Sequence, residues 1–363
     1  QGAPKPLRIP YLFLVGDGIA ANIIPLIGSG FDGTVGQQIP SNLSPQGLAF
    51  KVIDQYGLPV TNAPVTFAVL SGGGLQSGAS LGSGNSTTTD QYGLAYASPV
   101  LGSSVGSYSF TGSAGGQTVE FDGTARLQPS INNGGIVDGA NFTSGRAVAP
   151  GSYVTIFGSG LSDYTDFASY LPLPLSIDLA TVSFDVASAN ISVPGHLLYV
   201  SPGQVNVQVP WELQGQTSAQ VKMTIDFSFG NVVTLSLASY SPGFFEFAPG
   251  AVAALDASNR PINATNPAVP GQTIQIFANG LGPVTNQPAS GSPALADPLS
   301  KTTATPTVTI GGLAAPVSFA GLAPGYPGLY QVNAVVPALG AGDHTVTLSI
   351  GGVAAKNSAI QVQ

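Results

Sequence analysis

Two histidines, His196 and His344, are the only side chains in the 363-residue chain whose ordinary pKa lies near neutrality. They occur in VPGHLLYV and AGDHTVTL, each at a turn into an apolar run, a setting that suits a satisfied or solvated turn histidine. General acid and base work needs two groups close together, and the three glutamates, Glu120, Glu212 and Glu246, are far apart in sequence. The phrase G-x-S-x-G appears twice, in GASLG (Gly78–Gly82) and GSSVG (Gly102–Gly106). As a nucleophile elbow it must lie between a strand and a helix, with a histidine to take the serine proton. No helical pattern follows either copy, so both read as loop serines. GSGFDG (Gly28–Gly33) satisfies G-x-G-x-x-G, but TVGQQIP follows it and cannot open the helix that would hold a pyrophosphate. Asp163 and Asp166 in LSDYTDFASY, and Asp138 in VDGANF, lack the dense oxygen-ligand spacing of a calcium loop and read as turn or cap residues. Cysteine is absent, which removes thiol catalysis and thiolate zinc sites. The expectation is a chain that is not an enzyme, with no catalytic, cofactor or metal residues.

Binding chemistry is also sparse. Nine Lys and Arg are scattered singly in a chain of net charge −8, so no basic patch exists to neutralise phosphates and nucleic acid is not expected. Trp211 in VPWEL, with Tyr199, is the nearest approach to an aromatic sugar platform, although aromatics in alternating strands more often fill a core or a domain junction. The sequons at Asn42, Asn85, Asn141, Asn190 and Asn263 carry weight only where a glycosylation system exists.

The leading segment stands out instead. Ile9, Tyr11, Phe13 and Val15 would line one face of a strand, and Leu12 and Leu14 the other, so both faces want burial. Such a strand can cover its own domain or complete a sheet of another copy by strand addition. The apolar run Ile9–Ile27 is broken by Pro10, Asp17 and Pro25 and will not cross a bilayer as a helix. The chain opens at Gln1 with neither Met nor a basic-then-apolar leader, the expected form of an exported protein whose signal peptide has been removed.

The elements that position these residues are short strands. Charged residues are 7% of the chain, against about 25% in typical soluble domains. The 48 Gly and 30 Pro preclude sustained helices. LAFKVID from Leu48 and VTFAVL from Val65 alternate with period two, separated by the turn DQYG (Asp54–Gly57), which recurs at Asp90–Gly93. Later, APGSYVTIFGSGLS (Ala149–Ser162) returns as VPGQTIQIFANGLG (Val269–Gly282), with Pro150 and Pro270 offset by 120 residues. QVNVQVP (Gln204–Pro210) returns as QVNAVVP (Gln331–Pro337) at an offset of 127, a length difference that loops absorb. TVSF from Thr181 matches TVTI from Thr307, and VKMTI from Val221 matches VTLSI from Val346.

Residues 28–125, with D-x-x-G-x-P-V, V-x-F, a glycine cluster and TDQYGLAYAS, resemble the bacterial immunoglobulin-like repeats of invasin- and intimin-type surface proteins. Residues 132–363 resemble a duplicated C-terminal domain of acidobacterial (Solibacter-type) surface proteins, and more distantly TIG-type immunoglobulin folds. The carrying phrases are GGIVDGANF, the paired PG-x3-IF, YVSPGQVNVQVPWE, YSPGFFEF and GLYQVNAVVP. The resemblance implies an exported, non-catalytic, mostly β module. The expected architecture is all-β, with three tandem immunoglobulin-like or TIG-like sandwiches at 28–128, 129–248 and 249–363. Residues 1–27 precede them as an extended segment, with Ile9, Tyr11, Leu12, Phe13, Leu14 and Val15 as its docking strand. The expected role is an extracellular structural protein that self-associates into a homopolymeric fibre or layer. The alternative is an adhesin or glycan-binding module in contact with a cell surface.

Overall fold

The computed structural model describes residues 14–39, 47–70, 79–81, 86–226 and 228–363. The chain is all-β, and among the described residues six sheets pair into three sandwiches, each with its own hydrophobic core. It divides into two compact units, Gln1–Leu127 and Gln128–Gln363. The first unit holds one sandwich and the second holds two.

In the first sandwich, Leu48–Ile53 is flanked by Asn22–Ile27 and Leu94–Ala97. The opposing sheet runs in the order Phe31–Thr34, Gln117–Arg126, Gly106–Ala114, Pro64–Val69, Ser86–Thr88. Period-two alternation delivers Leu48, Phe50 and Val52 to the core against Val65, Phe67, Phe110 and Phe121, and the Phe50 and Phe67 rings lie 5.2 Å apart. Both DQYG turns are built alike. Asp54 Oδ1 accepts from the N–H groups of Tyr56 and Leu58, each at 2.9 Å, and Asp90 Oδ1 from those of Tyr92 and Leu94 at 2.8 and 2.9 Å.

The leading segment differs from its expected form. Residues Ile9, Tyr11, Leu12 and Phe13 lie outside the described residues. Leu14 and Val15 belong to no strand and are exposed. Gly16-Asp17-Gly18 interrupts the run: Asp17 Oδ1 accepts from Ile19 N–H at 3.0 Å, a local turn that ends any strand there. The strand comes later, at Asn22–Ile27, antiparallel to Leu48–Ile53. Residues 22–27 are thus part of the first sandwich rather than a segment preceding it.

In the second unit, one sandwich packs the sheet Asp166–Phe167, His196–Ser201, Gln204–Gln208, Tyr153–Ser159, Ser130–Asp138 against Ile191–Pro194, Ala180–Val186, Ser218–Ile225, Ser228–Ser236. The other repeats this plan, with Thr273–Asn279 and Tyr330–Val335 as the counterparts of Tyr153–Ser159 and Gln204–Gln208. The third sandwich begins earlier than the expected residue 249. Gly243–Phe244 already pairs with Thr273–Asn279, and Glu246–Ala248 with Ala251–Val252. YSPGFFEF therefore enters the third sandwich rather than closing the second.

The repeated phrase now has a physical explanation. Pro150-Gly151 and Pro270-Gly271 occupy the two central positions of matching tight turns, where Gly151 and Gly271 take φ of 85° and 83°. The turns close from Ser152 N–H to Ala149 carbonyl at 3.2 Å and from Gln272 N–H to Val269 carbonyl at 3.1 Å. Pro followed by a positive-φ Gly is what a type II turn requires. The strands that follow lead to Leu161 and Leu281, both fully buried.

Candidate functional site

The residues that suggested chemistry are dispersed. Ser80 pairs by its backbone with Val100, and the Ser104 carbonyl accepts from the Tyr108 hydroxyl, so neither serine lies at a strand-to-helix turn. GSGFDG leads into the strand Phe31–Thr34 rather than a helix. His196 and His344 lie in different sandwiches, and His344 Nε2 is 2.8 Å from the Gly340 carbonyl. Glu120 accepts from Ser109, Glu212 from Ser290, and Glu246 from Gly250 N–H and Ser358. Among the described residues no three His, Cys, Asp or Glu are grouped as a metal site would need.

What the structure does assemble is a junction between the second and third sandwiches. Asn279 ends the strand Thr273–Asn279 and is 1% exposed. Its Oδ1 accepts from Tyr153 N–H at 3.0 Å, and its Nδ2 donates to the Tyr153 carbonyl at 2.8 Å and to Asp138 Oδ2 at 3.0 Å. The side chain thus stands in for a paired strand and satisfies both backbone groups of a residue in the other repeat. Asp138 Oδ1 accepts from Ala140 and Asn141 N–H. Burial raises the Asp138 pKa, while these bonds and Arg146 pull it down. Gln208, fully buried, accepts from Gly291 N–H at 2.6 Å and donates to the Gly151 carbonyl at 3.1 Å.

Trp211 is not a sugar platform. It is 3% exposed and joins the core of the third sandwich, although its chain position is in the second. Burying a Trp removes about 150–250 Å² from water, worth about 4–6 kcal/mol at about 25 cal/mol per Å². The two sandwiches are therefore fastened by a shared core residue. The Trp211 Nε1 and His196 Nδ1 atoms are buried without a hydrogen-bond partner among the described residues. Burial lowers the His196 pKa, against the opposing pull of Glu212.

Beside this junction opens a cleft of about 420 Å³, within the range of about 300–1,000 Å³ usual for ligand sites. The second sandwich contributes Tyr153, Leu171, Leu173 and Leu198, and the third contributes Phe245, Tyr326, Pro327 and Leu329. Tyr153 donates its hydroxyl across the cleft floor to the Pro327 carbonyl at 2.9 Å, and burial raises its pKa strongly. Besides the hydroxyls of Tyr153 and Tyr326, the wall carries Asn206, whose Oδ1 is taken by Thr155 and Gln204. Nearby in the chain, Tyr164, Phe167 and Tyr170 are exposed. Sequence reading missed this site because its walls come from residues between Gly139 and Leu329. The one available signal was the run of aromatics in DYTDFASYL, which alternation along a strand does not explain.

No family model and no curated protein matches the chain. Among solved structures, the C-terminal 282-residue fragment of intimin, in complex with the intimin-binding domain of the translocated intimin receptor, is 16% identical. That match covers 62% of this chain and 67% of the fragment, with a TM-score of 0.36. Invasin, a bacterial integrin-binding protein, is 16% identical over 94% of this chain and 60% of its own, at 0.24. A Bacteroides ovatus glucan-utilisation protein, SGBP-B, solved with a mixed-linkage heptasaccharide, is 12% identical over 94% and 70%, at 0.28.

Proposed function

We propose that this chain is a non-catalytic structural module of an extracellular surface, and that its copies associate through the N-terminal segment into a fibre or layer. The observation that carries this reading is the apolar surface that leads the first sandwich. Leu14, Val15 and Ile19 are 58%, 79% and 68% exposed, and Ile24 and Leu26 follow at 41% and 51% on an edge strand. Fully burying one such side chain is worth about 1.5–3 kcal/mol, so a partner that covers several gains appreciable affinity. Low charge leaves little repulsion between copies. Pro25 and a bulge between Pro25 and Ile27 make the Asn22–Ile27 edge a poor acceptor of an added strand. Association there proceeds through side chains, and a donated strand must find its acceptor elsewhere. The likeness of residues 132–363 to acidobacterial surface-protein domains belongs to the same reading.

The triple variant Leu14→Ser, Val15→Ser, Ile19→Ser tests it by sedimentation velocity. Because these side chains are exposed, folding should persist while self-association weakens about tenfold or more, at about 1.4 kcal/mol per tenfold. Unchanged association would remove the support from this surface. A second reading, an adhesin or glycan-binding module, draws on the exposed Tyr164, Phe167 and Tyr170. Monomers retained on a glycan column would favour it.

A further inference from the structure

The two repeats of the second unit serve as internal controls for each other, because the same scaffold position is decorated differently in each. After the Phe-x-x-Gly-Leu phrase, the first copy exposes Tyr164, Phe167, Tyr170, Leu171 and Leu175, and Leu171 is part of the cleft wall. The matching stretch between Gly282 and Thr307 exposes Leu295 as its single large apolar side chain among the described residues. Folding does not demand the aromatic set, since the second copy closes without it. We propose that the junction cleft is the receptor for the N-terminal segment of a second copy of this chain, around Leu7–Phe13. This inference rests on the self-association reading and assigns its acceptor.

Three further observations favour that occupant. The cleft walls are mostly apolar and aromatic: Asn206, Tyr153 and Tyr326 bring the polar side-chain groups, and Asn206 Oδ1 and the Tyr153 hydroxyl are already bonded within the protein, a lining suited to side chains such as those of Ile9, Tyr11 and Phe13. Charge is complementary: the loop between Gly160 and Ala180 contains Asp163, Asp166 and Asp178 and no Lys or Arg, whereas the first thirteen residues contain Lys5 and Arg8 and no acid. Pro4, Pro6 and Pro10 punctuate that segment, and proline-bearing extended peptides dock into aromatic-lined grooves at reduced entropic cost.

The absence of native cysteine makes the test clean. Two full-length single variants, Tyr11→Cys and Tyr326→Cys, are mixed under mild oxidation, and the disulfide-linked dimer is timed. The control pair is Tyr11→Cys with Tyr92→Cys, an exposed site on a turn of the first sandwich. Docking raises the effective concentration of the paired thiols, so the cleft pair should cross-link about tenfold faster or more than the control. Leu198→Asp, at a partly exposed wall position, should abolish that advantage while leaving the thermal midpoint in place. Equal rates for the two pairs, with the unmodified chain still associating by light scattering, would overturn the cleft assignment alone. A monomeric unmodified chain would overturn both it and the self-association reading.

Discussion

Asn279 shows how much one side chain can do at a repeat junction. Removing it as Asn279→Ala takes the partner from the buried N–H of Tyr153 and from an oxygen of Asp138, while the Tyr153 carbonyl keeps the Gly139 N–H. Stranded buried groups cost about 1–3 kcal/mol each, so we expect a loss of about 2–4 kcal/mol in chemical denaturation of the second unit. Asn279→Asp is nearly isosteric but sets a carboxylate against Asp138 and the Tyr153 carbonyl. Burial already raises the Asp138 pKa above its unfolded value, and a facing carboxylate adds to that shift. A raised folded pKa gives stability that is full below the unfolded pKa and lost as pH rises through the folded one. Asn279→Ala also loses the bond that lowers the Asp138 pKa, so both variants should recover part of their deficit on acidification from neutral pH, and Asn279→Asp, with its facing carboxylate, should recover more. A deficit in Asn279→Asp that grows on acidification would contradict this geometry. None of this was legible beforehand. The repeat showed that FGSG and FANG align, but not that Asn279, where the first copy has Ser159, reaches into the other sandwich.

At the scale of elements, the two Pro-Gly turns make a matched pair for measurement. Gly271→Ala meets only the strain of a positive φ, about 1–2 kcal/mol. Gly151→Ala meets the same strain, and its Cβ would also overlap the ring of Trp211, adding about 1–3 kcal/mol of overpacking. Urea titrations should rank Gly151→Ala as clearly the worse of the two. Equal losses would mean that Trp211 does not lie over Gly151 as described. The turns were legible because Pro-Gly and Asp-x-x-Gly have few other uses. A third turn of the Asp54 type went unnoticed because it reads DASNR. Asp256 Oδ1 accepts from Ser258 and Arg260 N–H at 2.8 and 3.0 Å, and Asn259 takes the positive φ that Gly holds elsewhere. Asn tolerates that conformation, so a search for Gly alone passes over it.

For the whole molecule, alternation was enough to show an all-β chain of sandwiches, because a one-residue slip would turn Phe50, Phe67 or Ile156 to water. Boundaries were less legible. Residues 22–27 carry mixed exposure on an edge strand, and Gly243–Phe244 crosses from one sandwich to pair in the next. The cleft was illegible, since it exists only once two domains are docked. Asn279 and Trp211 fasten those domains, and the cleft should be preformed as a result.

We propose that the leading residues drive association of an otherwise self-sufficient fold. The direct measurement is mass in solution by light scattering, with thermal unfolding in parallel, for the full chain and a version beginning at Gly16. That version lacks Ile9 through Val15 but keeps Asp17, whose N–H donates to Asp54, and the strand Asn22–Ile27. The full chain should form concentration-dependent assemblies, and the shortened one folded monomers with an unchanged midpoint. Equal masses for the two, whether monomeric or assembled, would contradict the proposal.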